Sequence, residues 1–233
     1  MKYVVLVADG AADYPMAELG GRTPLEAART PNMDYIAKHG RLGRVRTIPP
    51  KMSPASDVAN LSILGYDPKK YYSGRGPLEA ANLGVEMDED DVAFRCNLIT
   101  ASNDTLIDYS AGHISSKEAK ELIEFVNRKL GSNKIIFYHG ISYRHLMLVK
   151  RGSEQHLQLL KCVPPHDISG KSITKHLPKG DNAELIVKLM MDSRQLLSAH
   201  EVNQVRVEAP LVSRHVFKPN SWTPFMRSAT KSG

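Results

Sequence analysis

The sequence has few of the features that mark secreted, zinc-binding or membrane proteins. It contains only two cysteines, Cys96 and Cys162, far apart and without metal-ligand spacing, which argues against a disulfide framework or a zinc finger. No apolar run approaches the roughly 20 residues of a membrane-spanning helix. The N-terminal apolar run ends in Asp9 and lacks the cleavage site of a signal peptide. We therefore expect a cytoplasmic globular protein that does not act at a membrane.

The positive charge is spread along the chain. The 233 residues include 31 Lys and Arg against 25 Asp and Glu, which gives a formal charge of +6. The densest basic stretch, KHGRLGRVR at 38–46, lacks the interleaved aromatic residues of a single-strand binder, and no helix-turn-helix or RNA-recognition motif is present. This pattern favours a small anionic metabolite as the ligand and argues against a nucleic acid.

The first 65 residues show the pattern of an α/β layer. KYVVLVADG predicts a buried parallel strand, with Asp9 and Gly10 at the end where α/β sheets place ligands, and LGRVRTI at 42–48 predicts another strand. Between them, TPLEAAR and TPNMDYIAKHG each begin with Thr and Pro, which predicts two N-capped helices. Thr23 and Glu26 have the spacing of a capping box, and Gly40 is placed to end the second helix.

A Gly-rich and charge-rich passage, YYSGRGPLEAANLGVEMDEDD, predicts a crossing between two units. We expect domains over 1–65 and 66–205 and a divergent tail over 206–233, with residues 209–233 forming loop. For the second domain the patterns predict an α+β fold with strands at VAFRCNLIT, KIIFYHG, YRHLMLVK and HLQLLKC, a hairpin partner near TLIDYSA, and helices at SSKEAKELIEFVNRKLG and NAELIVKLMMDSRQLLSAH.

Ser56 stands at the predicted start of a short one-sided helix that ends near Gly65. Two interpretations are open: the serine caps the helix, or its hydroxyl uses the positive end of the helix dipole as a nucleophile. Asp9 has a similar alternative, because an aspartate after a strand often only opens a turn. Carboxylate and hydroxyl oxygens together suit Mg²⁺ or Mn²⁺, although two ligands do not complete a metal site.

Several motifs in order carry a resemblance to a known family. The segments from residue 1 to about residue 208 include VVLVADGAADYP, SDVANLSILGYDPKKYYSGRGPLEAANLGV, DDVAFRCNL, DYSAGHIS, SYRHL and PPHDISGK. Together they resemble the archaeal-type, cofactor-independent (2,3-bisphosphoglycerate-independent) phosphoglycerate mutases of the alkaline phosphatase superfamily. The resemblance implies a partial phosphatase-like α/β core with an inserted α+β substrate-handling domain.

The resemblance also implies an isomerase of glycolysis and gluconeogenesis that interconverts 2-phosphoglycerate and 3-phosphoglycerate. In this family two divalent metals, usually Mn²⁺ or Mg²⁺, serve a serine that takes the phosphoryl group and returns it to the reoriented glycerate. Carried over by position, Asp9 matches a metal ligand and Ser56 matches the phosphorylated, metal-bound serine. The expected contacts to phosphate or carboxylate are Arg75, Arg95, Asn97, His113, Arg144, His145, His166 and Asp167. Each histidine is equally well interpreted as structural, and Arg75 can also be interpreted as a solvated hinge residue.

The sequence departs from the family in its last part. The family's Asp-x-x-x-His motif, Asp-His pair and further metal-binding His are absent, and His215 lies in no matching context. We therefore expect an incomplete metal site and a chain that is poorly active alone. The alternatives are a non-catalytic protein that binds phosphoglycerate and, less favoured because the inserted domain is retained, a hydrolase of the same superfamily. The oligomeric state does not follow from the sequence.

Overall fold

The computed structural model describes residues 2–52, 54–208 and 228–229, the side chains of the last four residues of the final helix and of 228–229 excepted. The chain forms two compact units, Met1–Tyr72 and Ser73–Gly233. The division therefore falls after Tyr72, later than the boundary near residue 65 that the sequence predicts. The identities of the domains as a phosphatase-like core and a substrate-handling insert stay predictions. None of the helices within the described ranges has the length and apolar character needed to cross a bilayer.

The first unit contains four short helices, α1 (Pro24–Ala27), α2 (Pro31–His39), α3 (Ser56–Ile63) and α4 (Pro68–Tyr71). The predicted capping box of α1 is confirmed, because the Thr23 hydroxyl accepts from the Glu26 backbone N–H and the Glu26 carboxylate accepts from Thr23. Thr30 precedes α2 as predicted, but its hydroxyl donates to the Asp34 carboxylate and caps no backbone group.

The two strands predicted in this unit are absent from its described residues. The segment that contains Tyr3 to Val7 has no strand partner, and Val4 and Leu6 are each 90% exposed. The segment 42–48 also forms no strand. A strand is stable only when its backbone groups pair with a neighbour, and no described segment of this unit supplies that neighbour. Apolar β-branched composition was therefore insufficient to form a strand here.

The second unit is built on an antiparallel sheet with the strand order β4-β5-β1-β6. Its strands are β1 (Val92–Asn97), β4 (Ile135–Tyr138), β5 (Arg144–Val149) and β6 (Ser228–Ala229), and a separate hairpin joins β2 (Thr100–Ser102) to β3 (Thr105–Asp108). Helices α5 (Arg75–Asn82), α6 (Ser116–Leu130), α7 (Ala183–Ser198) and α8 (Glu201–Glu208) complete the unit.

Most predictions for the second unit are confirmed, including the Ser115 and Glu118 capping box of α6. Three are wrong. The segment near TLIDYSA was predicted as the hairpin partner of VAFRCNLIT, but it forms β3, which pairs with β2, and β1 pairs with β5. Leu157–Leu159 is a 3-10 turn instead of a strand. The predicted tail contains β6, and its other residues from 209 onwards are outside the described part. The Gly-rich passage predicted as a crossing does contain the division after Tyr72, and it also forms α5, which was not predicted.

The two faces of the sheet have different partners. Alternate residues of β1 point to opposite faces, so Phe94 and Cys96 join the main core with α6 and α7, while Ala93 joins Leu146 and Leu148 beneath Ala80 of α5. Burial raises the pKa of the Cys96 thiol well above its ordinary range. Cys96 is therefore a core residue, and Cys162 is partly buried; neither forms a disulfide.

Gly76 allows α5 to lie directly on β1. A Cβ atom added at this position would lie 1.9 Å from the Ala93 carbonyl oxygen, which is backbone and cannot rotate away. Only glycine fits at this contact. The close approach fixes the first turn of α5, including Arg75, against the sheet.

Replacing Gly76 with alanine should destabilise the second unit by about 1 to 3 kcal/mol, because the new methyl group forces α5 away from β1. In an unconstrained helix the same change would stabilise the protein. Denaturant unfolding followed by circular dichroism measures the effect, with Gly43→Ala as the matched control because Gly43 has open space around it. A Gly76→Ala variant as stable as the parent would contradict the contact.

Candidate functional site

Ser56 and Asp9 meet in the first unit. The Ser56 hydroxyl donates to Oδ2 of Asp9 across 2.9 Å, and both residues are exposed. Ser56 is the first residue of α3, whose N-cap is Ala55 with no side-chain cap. The interpretation of Ser56 as a simple capping residue is therefore wrong. The hydroxyl is instead directed to a carboxylate brought from 47 positions earlier in the chain.

Neighbouring contacts hold Ser56 in place. Val58 is buried and anchors α3. The Tyr72 hydroxyl donates to Oδ2 of Asp57 across 2.6 Å, and Oδ1 of Asp57 accepts from the Val58 backbone N–H. The carboxylate next to the serine is therefore engaged in structure, and the carboxylate that accepts the Ser56 hydrogen bond is that of Asp9.

The Asp9 and Ser56 oxygens are hard donors of the kind that Mg²⁺ and Mn²⁺ prefer. Their number does not fit a metal site, because the described residues contain no group of three or more His, Cys, Asp and Glu that could hold an ion. The pair alone therefore supports a serine hydrogen-bonded to a general base, with metal ligands still to be supplied.

A second cluster, here called the arginine face, lies on the α5 side of the sheet in the second unit. Asn97 is paired with Arg144 and Arg95 with Leu146, and directly opposed residues share a face. The side chain of Arg95 is 16% exposed, and its Nε lies 3.7 Å from Oε1 of Glu79 in α5. Burial lowers the pKa of Arg95, Glu79 opposes this, and the positive charges of Arg75 and Arg144 add to the lowering.

The arginine face carries more positive than negative charge. Three guanidinium groups interact there, while Glu79 is the one acidic side chain among the groups that act on Arg95. The buried Nε of Arg95 and the buried Oδ1 of Asn97 have no hydrogen-bond partner. Buried polar atoms without partners are costly. The Arg95 Nε donor is suited to an oxygen of a carboxylate or phosphate, whereas the Asn97 oxygen needs a donor such as a hydroxyl group.

Aromatic contacts connect further predicted residues to this face. The guanidinium of Arg144 lies 5.6 Å from the ring of Tyr143. The Tyr109 ring meets Tyr143 edge-on at 5.9 Å and His166 at 6.4 Å. His166 Nε2 lies 3.5 Å from the carboxylate of Asp167, and both side chains are about half exposed. His113 is exposed at the end of the loop that contains Tyr109.

His145 is placed apart from the arginine face. It is opposite Cys96 in the strand register and therefore shares the face of the main core, where it is buried. Its Nδ1 accepts from the Gly140 backbone N–H at 3.1 Å. Burial, with a smaller contribution from His139, lowers its pKa to about 3. The buried Nε2 of His145 has no hydrogen-bond partner, but the ring lies on the main-core face, so this placement gives no support to contact with a ligand on the arginine face.

Three members of the cluster were not predicted from the sequence. Glu79 was missed because its segment was interpreted as a crossing, although Arg75 and Glu79 have the spacing of neighbours on one helix face. Tyr109 and Tyr143 lie within the motifs DYSAGHIS and SYRHL, but an aromatic ring can be assigned to a site only when its contact partners are known.

Comparison with known proteins identifies the family. A family profile described as 2,3-bisphosphoglycerate-independent phosphoglycerate mutase matches residues 37–203, well over half of the chain. The chain belongs to this family. A member from Methanosarcina barkeri is 51% identical over 100% of this chain and 59% of its own length, and one from Pyrococcus furiosus is 37% identical over 88% of this chain and 50% of its own length.

Solved structures agree with the phosphoglycerate mutase family assignment. The cofactor-independent phosphoglycerate mutase from Thermoplasma acidophilum matches with a TM-score of 0.54 at 31% identity, over 95% of this chain and 57% of that one. The PH0037 protein from Pyrococcus horikoshii matches with a TM-score of 0.60 at 28% identity, over 95% and 49%. The chain therefore has part of the α/β fold of this family.

The chain spans about half the length of the phosphoglycerate mutases it matches. The alignment with the Methanosarcina barkeri relative includes the whole chain, whereas the Methanosarcina mazei alignment covers 89% of it. The last residues, predicted to diverge from the family, therefore align with at least one member.

The buried His145 should make stability depend on pH. Because its folded pKa of about 3 lies below the ordinary value of 6.5, the folded state binds fewer protons than the unfolded state between these values. The contribution of His145 to the free energy of unfolding is therefore complete above pH 6.5. It is lost as the pH decreases towards 3, by up to about 1.4 kcal/mol per pH unit. Thermal unfolding of His145→Gln between pH 7 and 4 should show a weaker pH dependence than the parent; identical profiles would contradict this placement.

Proposed function

We propose that this chain supplies the phosphoryl-accepting serine and the anion-binding face of a phosphoglycerate mutase that interconverts 2-phosphoglycerate and 3-phosphoglycerate. The observation that carries the proposal is the 2.9 Å hydrogen bond from Ser56 to Asp9 in a member of this family. The reaction needs an activated oxygen nucleophile, and a serine bonded to a carboxylate base is such a group.

In the proposed reaction, Ser56 Oγ attacks the phosphorus atom of the bound phosphoglycerate while its proton moves to Oδ2 of Asp9. The bond between phosphorus and the glycerate oxygen breaks; that oxygen takes up one proton from the solvent and Asp9 releases one to the solvent, so that the step is balanced in protons. In the second half of the reaction, the other glycerate hydroxyl attacks the phosphorus atom of the phosphoserine, the bond from Ser56 Oγ to phosphorus breaks, and Ser56 is restored. The positive N-terminal end of α3 favours the negative charge that develops at Ser56 Oγ.

The proposed metal is a divalent cation, Mn²⁺ or Mg²⁺, and the family is generally metal-dependent. Asp9 and Ser56 are the residues of this chain that we propose as ligands. Since two donors do not form a metal site, the remaining ligands must come from outside the described residues. The chain by itself is accordingly proposed to have low activity.

The arginine face is the proposed binding surface for the charged ends of the substrate. Arg95 and Arg144 offer guanidinium forks, which suit bidentate contact with phosphate or carboxylate, and Arg75 adds positive charge. Asn97 Oδ1 is available to accept from a glycerate hydroxyl. His166 and Asp167 are connected to this surface through Tyr109 and Tyr143, and together with His113 they are proposed as further contacts. The reaction is proposed to take place in the cytoplasm, with no nucleic acid involved.

A non-catalytic phosphoglycerate-binding protein is the second candidate. It is favoured by one specific observation, since the arginine face is assembled within the second unit, while the metal donors of the first unit are only two. In that case the chain binds phosphoglycerate without transferring its phosphoryl group. A phosphatase-type hydrolase remains the third alternative, in which water accepts the phosphoryl group.

Removing either guanidinium should weaken binding of 3-phosphoglycerate. We expect Arg95→Ala and Arg144→Ala to lower affinity about tenfold or more, since a hydrogen bond to a charged group contributes about 1.5 to 3 kcal/mol. Lysine at either position should restore only part of the affinity for 3-phosphoglycerate, because it keeps the positive charge but cannot make the bidentate contact of a guanidinium group. Isothermal titration calorimetry measures the effect, with the exposed Lys188→Ala as the control. Equal loss in the control would indicate nonspecific charge attraction.

The chain supplied with Mn²⁺ should show little mutase turnover, because most metal ligands are not among its described residues. An enolase-coupled assay from 3-phosphoglycerate measures turnover, and a phosphate-release assay separates the hydrolase alternative. Residual turnover should disappear in Ser56→Ala. Turnover at the level of complete family members that Ser56→Ala abolishes would show that the metal site is complete in this chain.

A further inference from the structure

The carboxylate of Asp108 organises the loop that follows β3. Its Oδ1 accepts from both the backbone N–H and the hydroxyl of Ser110, each at 2.8 Å, and its Oδ2 accepts from the Gly112 backbone N–H at 2.6 Å. The Ser110 hydroxyl oxygen in turn accepts from the His113 N–H at 3.3 Å. One side chain therefore holds the backbone of the loop at two points and reaches His113 through Ser110.

The loop has an unfavourable backbone conformation. Ala111 and His113 have φ angles of 52° on either side of Gly112 at 65°, so three consecutive residues are left-handed. This conformation costs about 1 to 2 kcal/mol for each residue that carries a Cβ atom. The loop is still ordered, since Ser110 and Ala111 are buried. Side-chain bonds that compensate for this cost are what make such a loop persist.

One side chain of the same loop is connected to the arginine face through ring contacts. Tyr109 contacts the rings of Tyr143 and His166, and Tyr143 contacts the Arg144 guanidinium. His113 is exposed and close enough to Asp108 for its charge to act on that carboxylate. The loop held by Asp108 is therefore continuous, through aromatic contacts, with the residues proposed to bind the anion.

We propose that Asp108 is a positioning residue that fixes the loop 109–113, so that His113 is already held and Tyr109 is already ordered against Tyr143, the ring next to the Arg144 guanidinium, when phosphoglycerate binds. This inference rests on the proposed function. A preformed loop removes the entropic cost of ordering these side chains on binding, and so increases affinity without a contact between Asp108 and the ligand. Asp108 is engaged by the loop on both oxygens, which is why it is assigned to positioning and not to direct contact.

The electrostatics of Asp108 are compatible with this role. Burial favours the neutral carboxyl group, but the hydrogen bonds from Ser110 and Gly112 outweigh it and lower the pKa of Asp108 below its usual range, with help from His113. The carboxylate is thus ionised at neutral pH, the form that accepts all three hydrogen bonds.

The test compares Asp108→Ala and Asp108→Asn in the full chain. Calorimetric titration with 3-phosphoglycerate should show about tenfold weaker binding for Asp108→Ala and a smaller loss for Asp108→Asn, which keeps one acceptor oxygen. In parallel, NMR should show displaced ring signals of Tyr109 and His113. Asp181→Ala, at an exposed aspartate, is the matched control and should leave both measurements unchanged. Circular dichroism and thermal unfolding confirm that the variants fold.

The outcomes separate this inference from the proposed function. If the parent binds 3-phosphoglycerate and both Asp108 variants bind equally well, the positioning role is wrong and the proposed function stands. If Asp108→Ala does not fold, Asp108→Asn decides the same question. If the parent does not bind 3-phosphoglycerate, the proposed function fails. In that case, unchanged ring signals of Tyr109 and His113 in the Asp108 variants would overturn the positioning role too. Displaced ring signals would instead support a loop that Asp108 holds in place for another ligand.

Discussion

The contact between Gly76 and the Ala93 carbonyl is the constraint on which the arginine face depends. It sets the distance between α5 and β1, and α5 carries Glu79, the acidic partner of Arg95. Without that approach, the buried Arg95 side chain would lose its counter-charge while keeping its desolvation cost. A backbone contact that contains no functional atom therefore controls the electrostatics of a proposed anion site.

The candidate site in each unit is built by different physical means. Ser56 and Asp9 form an exposed pair held by one hydrogen bond, with Val58 and the Tyr72 contact to Asp57 fixing the local helix. The arginine face depends on strand register, a helix packed on the sheet and several aromatic contacts. The first arrangement is suited to bond making and breaking at an accessible oxygen, the second to holding a charged ligand in one orientation.

Sequence patterns predicted the features whose causes are local. Capping residues, as at Thr23 and Ser115, act within one turn, so their helices were correctly located. The strand at Tyr3 to Val7 failed because strand formation needs a partner that composition does not reveal. For the site, motif resemblance predicted Arg95, Asn97, Arg144 and His145 alike as substrate contacts. Only the register of β1 with β5 shows that the buried histidine lies on the opposite face from the other three. The role of Glu79 as the partner of Arg95 could be predicted only if α5 had been recognised as a helix.

The alternation along β1 also constrains how this chain can change in evolution. Arg95 and Asn97 lie on one face, and Phe94 and Cys96 lie on the other, within a single short strand. Substitutions at one position affect one face only. An insertion or deletion of a single residue would exchange the faces, bringing guanidinium groups into the main core and a thiol to the ligand side. Within the family, the length of this strand is therefore expected to vary far less than its composition.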